Sequence, residues 1–289
     1  MRHLLLSVTL LISISGFTQN KTGYVIYNSK GKKVSYKKLL KTVSKNDVVL
    51  FGEYHDNPIS HWLELEVTKD LHKDFTLILG AEMIERDNQN ELNLYLSDSI
   101  NQKGFDTLAR LWNNHKTDYK PLVDFAKDSG LTFIASNIPR RYASLVYKKD
   151  FVALDTLTDL EKSWMAPLPI PYDSTLSRYV AILDMMGGHG SPKLIKAQAM
   201  KDATMAYSIV SQLNMPRKSV QPLRFIHYNG SFHSDYYEGI YWYIQQYRPA
   251  TTIATIATVT QEDISSLDKE SLGRADFIIC VDEDMTRTY

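Results

Sequence analysis

The sequence predicts an α/β fold, with a mainly parallel central sheet flanked by helices and a smaller helical insertion over the carboxyl edge of the sheet. Three observations predict it. Short β-like apolar runs alternate with helical patterns along most of the chain. The run Val48-Val49-Leu50-Phe51 is unbroken by polar residues, as in a central strand covered on both faces. The stretch from about 150 to 215 contains no strand pattern, only helical patterns broken by Pro167, Pro169, Pro171 and the turn Gly187-Gly188-His189-Gly190-Ser191-Pro192.

Taken in order, Tyr24 to Tyr27 reads as a strand followed by the turn Asn28-Ser29-Lys30-Gly31. Ser35 caps a short helix through Lys45. The second strand runs from Asp47 to Gly52. Asn57 then caps a helix that has Pro58 at its first position and an apolar stripe of Ile59, Trp62, Leu63, Val67 and Leu71. Phe75 to Met83 is the third strand, and Leu131 to Ala135, after a helix ending at Ser129-Gly130, is the fourth. Leu223 to Tyr228, the β-branched run Thr251 to Val259, and Phe277 to Val281 complete the set. Residues 19–289 are read as one domain carrying the insertion.

Composition bounds the function. The chain has 289 residues, 44% hydrophobic and 23% charged, with Lys+Arg and Asp+Glu both at 33. A formal net charge of zero gives no basic surplus for nucleic acid. Residues 1–18 read as a secretory signal: Met1-Arg2-His3 is basic, Leu4 to Ile14 is apolar but short for a membrane span, and Ser15-Gly16-Phe17-Thr18 offers small residues for cleavage. An exported, periplasmic protein is expected. The single cysteine, Cys280, lies in an apolar run and forms no intrachain disulfide.

Two Gly-x-x-His turns stand just beyond strand-like runs, Gly52-Glu53-Tyr54-His55 and Gly230-Ser231-Phe232-His233. In an α/β sheet this is the edge where chemistry is placed. Glu53 and His55, two apart on extended chain, share a side, and a carboxylate beside an imidazole binds a metal or relays protons. Glu82 ends the third strand and faces the same crevice if its strand lies near the second; a buried carboxylate there needs a partner. Tyr236 and Tyr237 follow His233, and a tyrosine oxygen can ligate haem iron; packing against Tyr241, Trp242 and Tyr243 is the other reading. His189 lies in the Gly-rich turn of the insertion, near Met185 and Met186. Gln198, Asp202 and Met205 form one line of the helix from Lys193 to Leu213 that points either to solvent or into a polar cavity. His61, His72 and His115 have no constellation around them, and His227 reads as a core histidine. No Gly-x-Gly-x-x-Gly, Gly-x-Ser-x-Gly, His-Glu-x-x-His or paired Cys-x-x-Cys is present.

Together, Gly52-Glu53-Tyr54-His55-Asp56-Asn57-Pro58, Ala81-Glu82-Met83, the run Ala197 to Ala206 and Gly230-Ser231-Phe232-His233 resemble the ChaN-like haem-binding uptake family, grouped with Tiki-type and, more distantly, erythromycin esterase-like proteins. The resemblance runs from about Val48 to Gly239. It implies an exported haem-binding protein in haem or iron acquisition, with an outer-membrane uptake partner. It also implies two subunits enclosing two haems face to face, with a tyrosine on the iron and a histidine assisting from the second subunit. Tyr236 and Tyr237 are the first candidates for that tyrosine and Tyr207 a weaker one; His189 and Met205 are further haem-site candidates. Members are often lipoproteins, whereas this leader offers no Cys for a lipid.

Two readings follow. A haem-binding protein needs an apolar slot, an iron ligand and cations for the propionates, for which Arg140 and Arg141 are candidates. A Tiki-like metal-dependent hydrolase would use Glu53, His55, Glu82 and His233 as ligands to zinc, manganese or iron.

Overall fold

The computed structural model describes residues 21–185, 191–216 and 221–289; the expected signal and His189 lie outside them. Seven strands, β1 (Tyr24–Asn28), β2 (Val48–Glu53), β3 (Thr76–Glu85), β4 (Thr132–Asn137), β5 (Leu223–Gly230), β6 (Ile253–Gln261) and β7 (Phe277–Asp282), form one sheet in the order β1-β7-β6-β2-β5-β3-β4. Only β1 is antiparallel to its neighbour. The helices are α1 (Tyr36–Val43), α2 (Pro58–His72), α3 (Gln89–Leu96), α4 (Gln102–Leu108), α5 (Lys120–Asp128), α6 (Arg140–Lys149), α7 (Asp159–Lys162), α8 (Ser177–Met185), α9 (Pro192–Leu213) and α10 (Ile240–Tyr247).

The unbroken apolar run of β2 has the cause expected for a central strand. Val49 and Phe51 face a core layer built with α1, α2, α3 and α5, whereas Val48 and Leu50 face another built with α6, α9 and α10. All six β2 residues are buried, including the terminal Glu53. Residues 150–215 carry α7, α8 and α9 and no strand among the described residues. The second half of α9 packs Met205 and Ile209 into the core, while its first half brings Ala197 and Lys201 to the carboxyl edge of the sheet.

Strands β3 to β6 each end two residues later than expected, and one helix is turned. Strand β3 runs two residues further, to Glu85, because a register shift lets Glu85 pair with Asn137. Helix α2 is rotated: Trp62 is 47% exposed and packs edge-on against Tyr24, while His61, Glu64 and Thr68 are buried beside Leu63, Val67 and Leu71. The helix begins as predicted, with the Asn57 side chain accepting from the Ile59 and Ser60 backbone N–H groups. Its rotation follows from polar partners inside the fold that the apolar pattern does not reveal.

Candidate functional site

Strand β5 lies between β2 and β3, so the carboxyl ends of three strands meet, with Glu53 level with Gly230. The Gly230 N–H donates to Glu82 Oε2 at 2.9 Å. A Cβ at Gly230 would stand 2.9 Å from His55 Nε2, so only glycine lets the His55 ring rest on the strand end beside Glu82. Glu53, His55, Glu82 and His233 are thus brought to one edge.

They are arranged as two carboxylate–imidazole pairs. In the first, His55 Nδ1 lies 2.6 Å from Glu53 Oε1, which also accepts from the Tyr119 hydroxyl at 2.8 Å. A carboxylate only accepts, so Nδ1 carries a proton, and in the neutral ring Nε2 is the open nitrogen. Burial alone would lower the His55 pKa, but the Glu53 hydrogen bond and the nearby Glu82 charge raise it. Burial would push Glu53 up; hydrogen bonds from His55 and His61 instead hold it at about 2.

In the second pair, His233 Nε2 lies 3.1 Å from Glu82 Oε1 and its Nδ1 bonds Asp202 Oδ1. Asp202 Oδ2 accepts from the Tyr179 hydroxyl at 2.7 Å. Burial opposes a charged ring, yet Glu82 and Asp202 together raise the His233 pKa to about 10, so it is an imidazolium at neutral pH. The Gln198 amide lies 3.0 Å from the same ring. The line Gln198–Asp202 therefore faces inward, and Met205 continues into the core, fully buried.

His55, Glu82 and His233 line a cleft of about 630 Å³. Its apolar wall includes Trp112, Ile138, Ala143 and Leu194, with Tyr147 at the rim. Arg140 and Lys201 add positive charge, whereas Arg110 is paired with Glu85 and Asp87. Tyr147 is 47% exposed.

The tyrosines singled out from the sequence lie elsewhere. Tyr236 and Tyr237 both adopt left-handed backbone, with φ of 58° and 62°, a turn that leads their phenols away from the cleft. Tyr236 bonds the Glu270 carbonyl at 2.7 Å and Tyr237 bonds Asp276 at 3.3 Å. Tyr207 packs edge-on against Tyr247. Arg141 pairs with Asp87 and stacks on Tyr142 and Trp164, leaving Arg140 at the cleft. His227 is the expected core histidine, bonded to Ser136 and Asn229 and pushed down to about 4 by burial.

Sequence reasoning missed Tyr119, Tyr179 and Tyr147, which no short motif marks, and gave no role to Lys201 within the run Ala197 to Ala206. It also missed His61 and Glu64. Their signal was present: both sit on α2 in line with buried Leu71, where polar residues need internal partners.

Residues 39–244 match the model of a family described as haem-binding uptake, Tiki superfamily, ChaN. The chain belongs to the ChaN family. Among solved structures, Campylobacter jejuni ChaN with cofacial haem is similar at 18% identity and a TM-score of 0.64, covering 89% of this chain and 96% of that one. A Bacillus cereus protein matches at 12% identity and a TM-score of 0.49, with 88% and 93% covered. An erythromycin esterase mutant matches at 9% identity and a TM-score of 0.48, with 89% and 83% covered. No curated protein matches. For this ChaN-family chain the first likeness agrees with the α/β sheet described above.

Proposed function

We propose that this ChaN-family protein is exported and binds haem in the cleft at the carboxyl edge of the sheet, in the service of haem or iron acquisition. The observation that carries the reading is the cleft itself: about 630 Å³, apolar on one wall and lined by Arg140 and Lys201. That volume lies within the range of cofactor sites, and a haem needs an apolar slot with cations near its propionates. The residues present fit the group. Tyr147, at the rim and half exposed, replaces Tyr236 and Tyr237 as the tyrosine to hold the iron, and His55 Nε2 is the imidazole nitrogen open to the cleft. The open mouth suits closure by a second copy of the chain, and an outer-membrane uptake protein is the further partner.

Hemin titration tests this. The apo-protein gives a saturable, shifted Soret band. Tyr147→Phe alters that spectrum while Tyr236→Phe leaves it unchanged, and sedimentation detects any hemin-driven dimer. Absence of saturable binding overturns the reading.

A second reading, hydrolysis, is favoured by one observation: His55 is backed by Glu53 through Nδ1 and presents Nε2 to the cleft. Such a ring can take a proton from water, with Glu53 holding its tautomer. A zinc, manganese or iron ion on Glu53, His55, Glu82 and His233 fits less directly, since both His233 nitrogens already meet carboxylates. Elemental analysis of haem-free protein, with His55→Ala and His233→Ala alongside, tests the metal-dependent form: a divalent ion lost in both variants supports it, and none bound refutes it.

A further inference from the structure

We infer that Glu53, His61 and Glu64 form a buried site for one divalent transition ion, of the zinc type, behind the cleft rather than in it. The group is separate from the cleft-lining set. Glu53 divides its oxygens between the two: Oε1 serves His55 and Tyr119, while Oε2 lies 3.0 Å from His61 Nδ1. Glu64 Oε2 approaches the same nitrogen at 3.4 Å. One ligand atom from each of the three residues lies within 4.8 Å of the other two.

The orientation of His61 is what points to a cation. Its Nε2 is 3.2 Å from the His55 carbonyl oxygen, which can only accept, so Nε2 carries a proton whether or not Nδ1 does. In the neutral ring the Nδ1 lone pair then faces two carboxylates. A histidine whose outer nitrogen donates to a backbone carbonyl, leaving the inner one for a metal, is the usual way such ligands are fixed. The His61 nitrogen is 3.0 and 3.4 Å from the two carboxylates. Ligands about 2.1 Å from a common ion stand at separations of about 3.0–3.4 Å from one another. The surroundings also call for positive charge. Apart from the His61 nitrogen, Glu53 Oε2 has no hydrogen-bond partner, and Glu64 Oε1 has none at all, although Glu53 is 1% exposed and Glu64 0%. A single proton on Nδ1 points along one line and satisfies one carboxylate, whereas a cation at the centre attracts both. One imidazole and two carboxylates suit zinc, or manganese as the harder alternative. Because the ligands are buried, the ion is taken up as the chain folds.

The site does not depend on haem binding, and its test separates the two. Full-length protein is produced in zinc-supplemented medium, purified without chelator or metal-affinity resin, and assayed by elemental analysis alongside Glu64→Gln, His61→Gln and Glu82→Gln. The expected result is about one divalent ion per wild-type chain, a drop of at least about tenfold in Glu64→Gln and His61→Gln, and retention in Glu82→Gln. If the first two variants do not fold, wild-type protein is unfolded and refolded with and without zinc; zinc is expected to restore a higher melting temperature and stoichiometric uptake. Folded wild-type protein that contains no ion and gains none on refolding overturns the site, leaving a proton between the carboxylates. An ion that survives Glu64→Gln, or is lost in Glu82→Gln, also overturns it and moves the metal to the cleft.

Discussion

Replacing Asp202 by Asn tests the clamp that holds His233. The residue sits on α9, buried, with one oxygen on His233 and the other on Tyr179. The His233 pKa is raised from 6.5 to about 10, which corresponds to about 5 kcal/mol favouring the folded, protonated form. The ring is buried, so solvent screening does not reduce this greatly. Two carboxylates share the effect, and burial raises the Asp202 carboxyl itself, so removing it is worth at most about 2–3 kcal/mol. The sign is that of a raised base: the contribution is complete below about pH 6.5 and is lost as pH rises through about 10. Urea unfolding of both proteins at pH 6, 8 and 9.5 reads the difference. Asp202→Asn is less stable by up to about 2–3 kcal/mol at pH 6, and the gap narrows toward pH 9.5. Carbon-labelled histidine NMR gives the His233 titration directly. An equal gap at every pH, or a His233 that titrates near 6.5 in the intact protein, would refute the reasoning.

Further outcomes are expected. Burial holds His227 and His115 at about 4, so each costs stability as pH falls from 6.5 through 4, by about 3 kcal/mol; His227→Gln flattens that limb in acid unfolding curves, and an unchanged limb contradicts it. Gly239 has a φ of +54° and a Cβ there would stand 2.3 Å from the His233 carbonyl oxygen, so Gly239→Ala lowers the melting point and loses about 2 kcal/mol or more. Gly230→Ala displaces the His55 ring, seen as a changed His55 titration in a protein that keeps its circular dichroism. Asn57→Ala removes the cap of α2 and costs about 1 kcal/mol in urea unfolding.

The order of strands and helices was legible because apolar periodicity records which faces are covered. The run Val48 to Phe51 announced a doubly buried strand, and Asn57-Pro58 announced a helix start. Less was legible at the site. Glu53, His55, Glu82 and His233 were found from their places after strands, while Tyr236 and Tyr237 were chosen by nearness in sequence to His233. Two left-handed residues turn that stretch toward Glu270 and Asp276, and local pattern does not report such a turn. Trp62 was placed inward on hydrophobicity alone, but the face it would have occupied is taken by His61 and Glu64.

By itself the sequence determined the class of the fold, the strand ends that carry acids and imidazoles, and the family to which they belong, since these depend on residue type and short spacing. Only the tertiary structure decided that β5 enters between β2 and β3, which carbonyl fixes the tautomer of His61, that Asp202 rather than solvent meets His233, and which tyrosine stands at the cleft. Each of these joins residues far apart along the chain, and the energy that selects such contacts comes from burying charge beside its counter-charge, which no local pattern encodes.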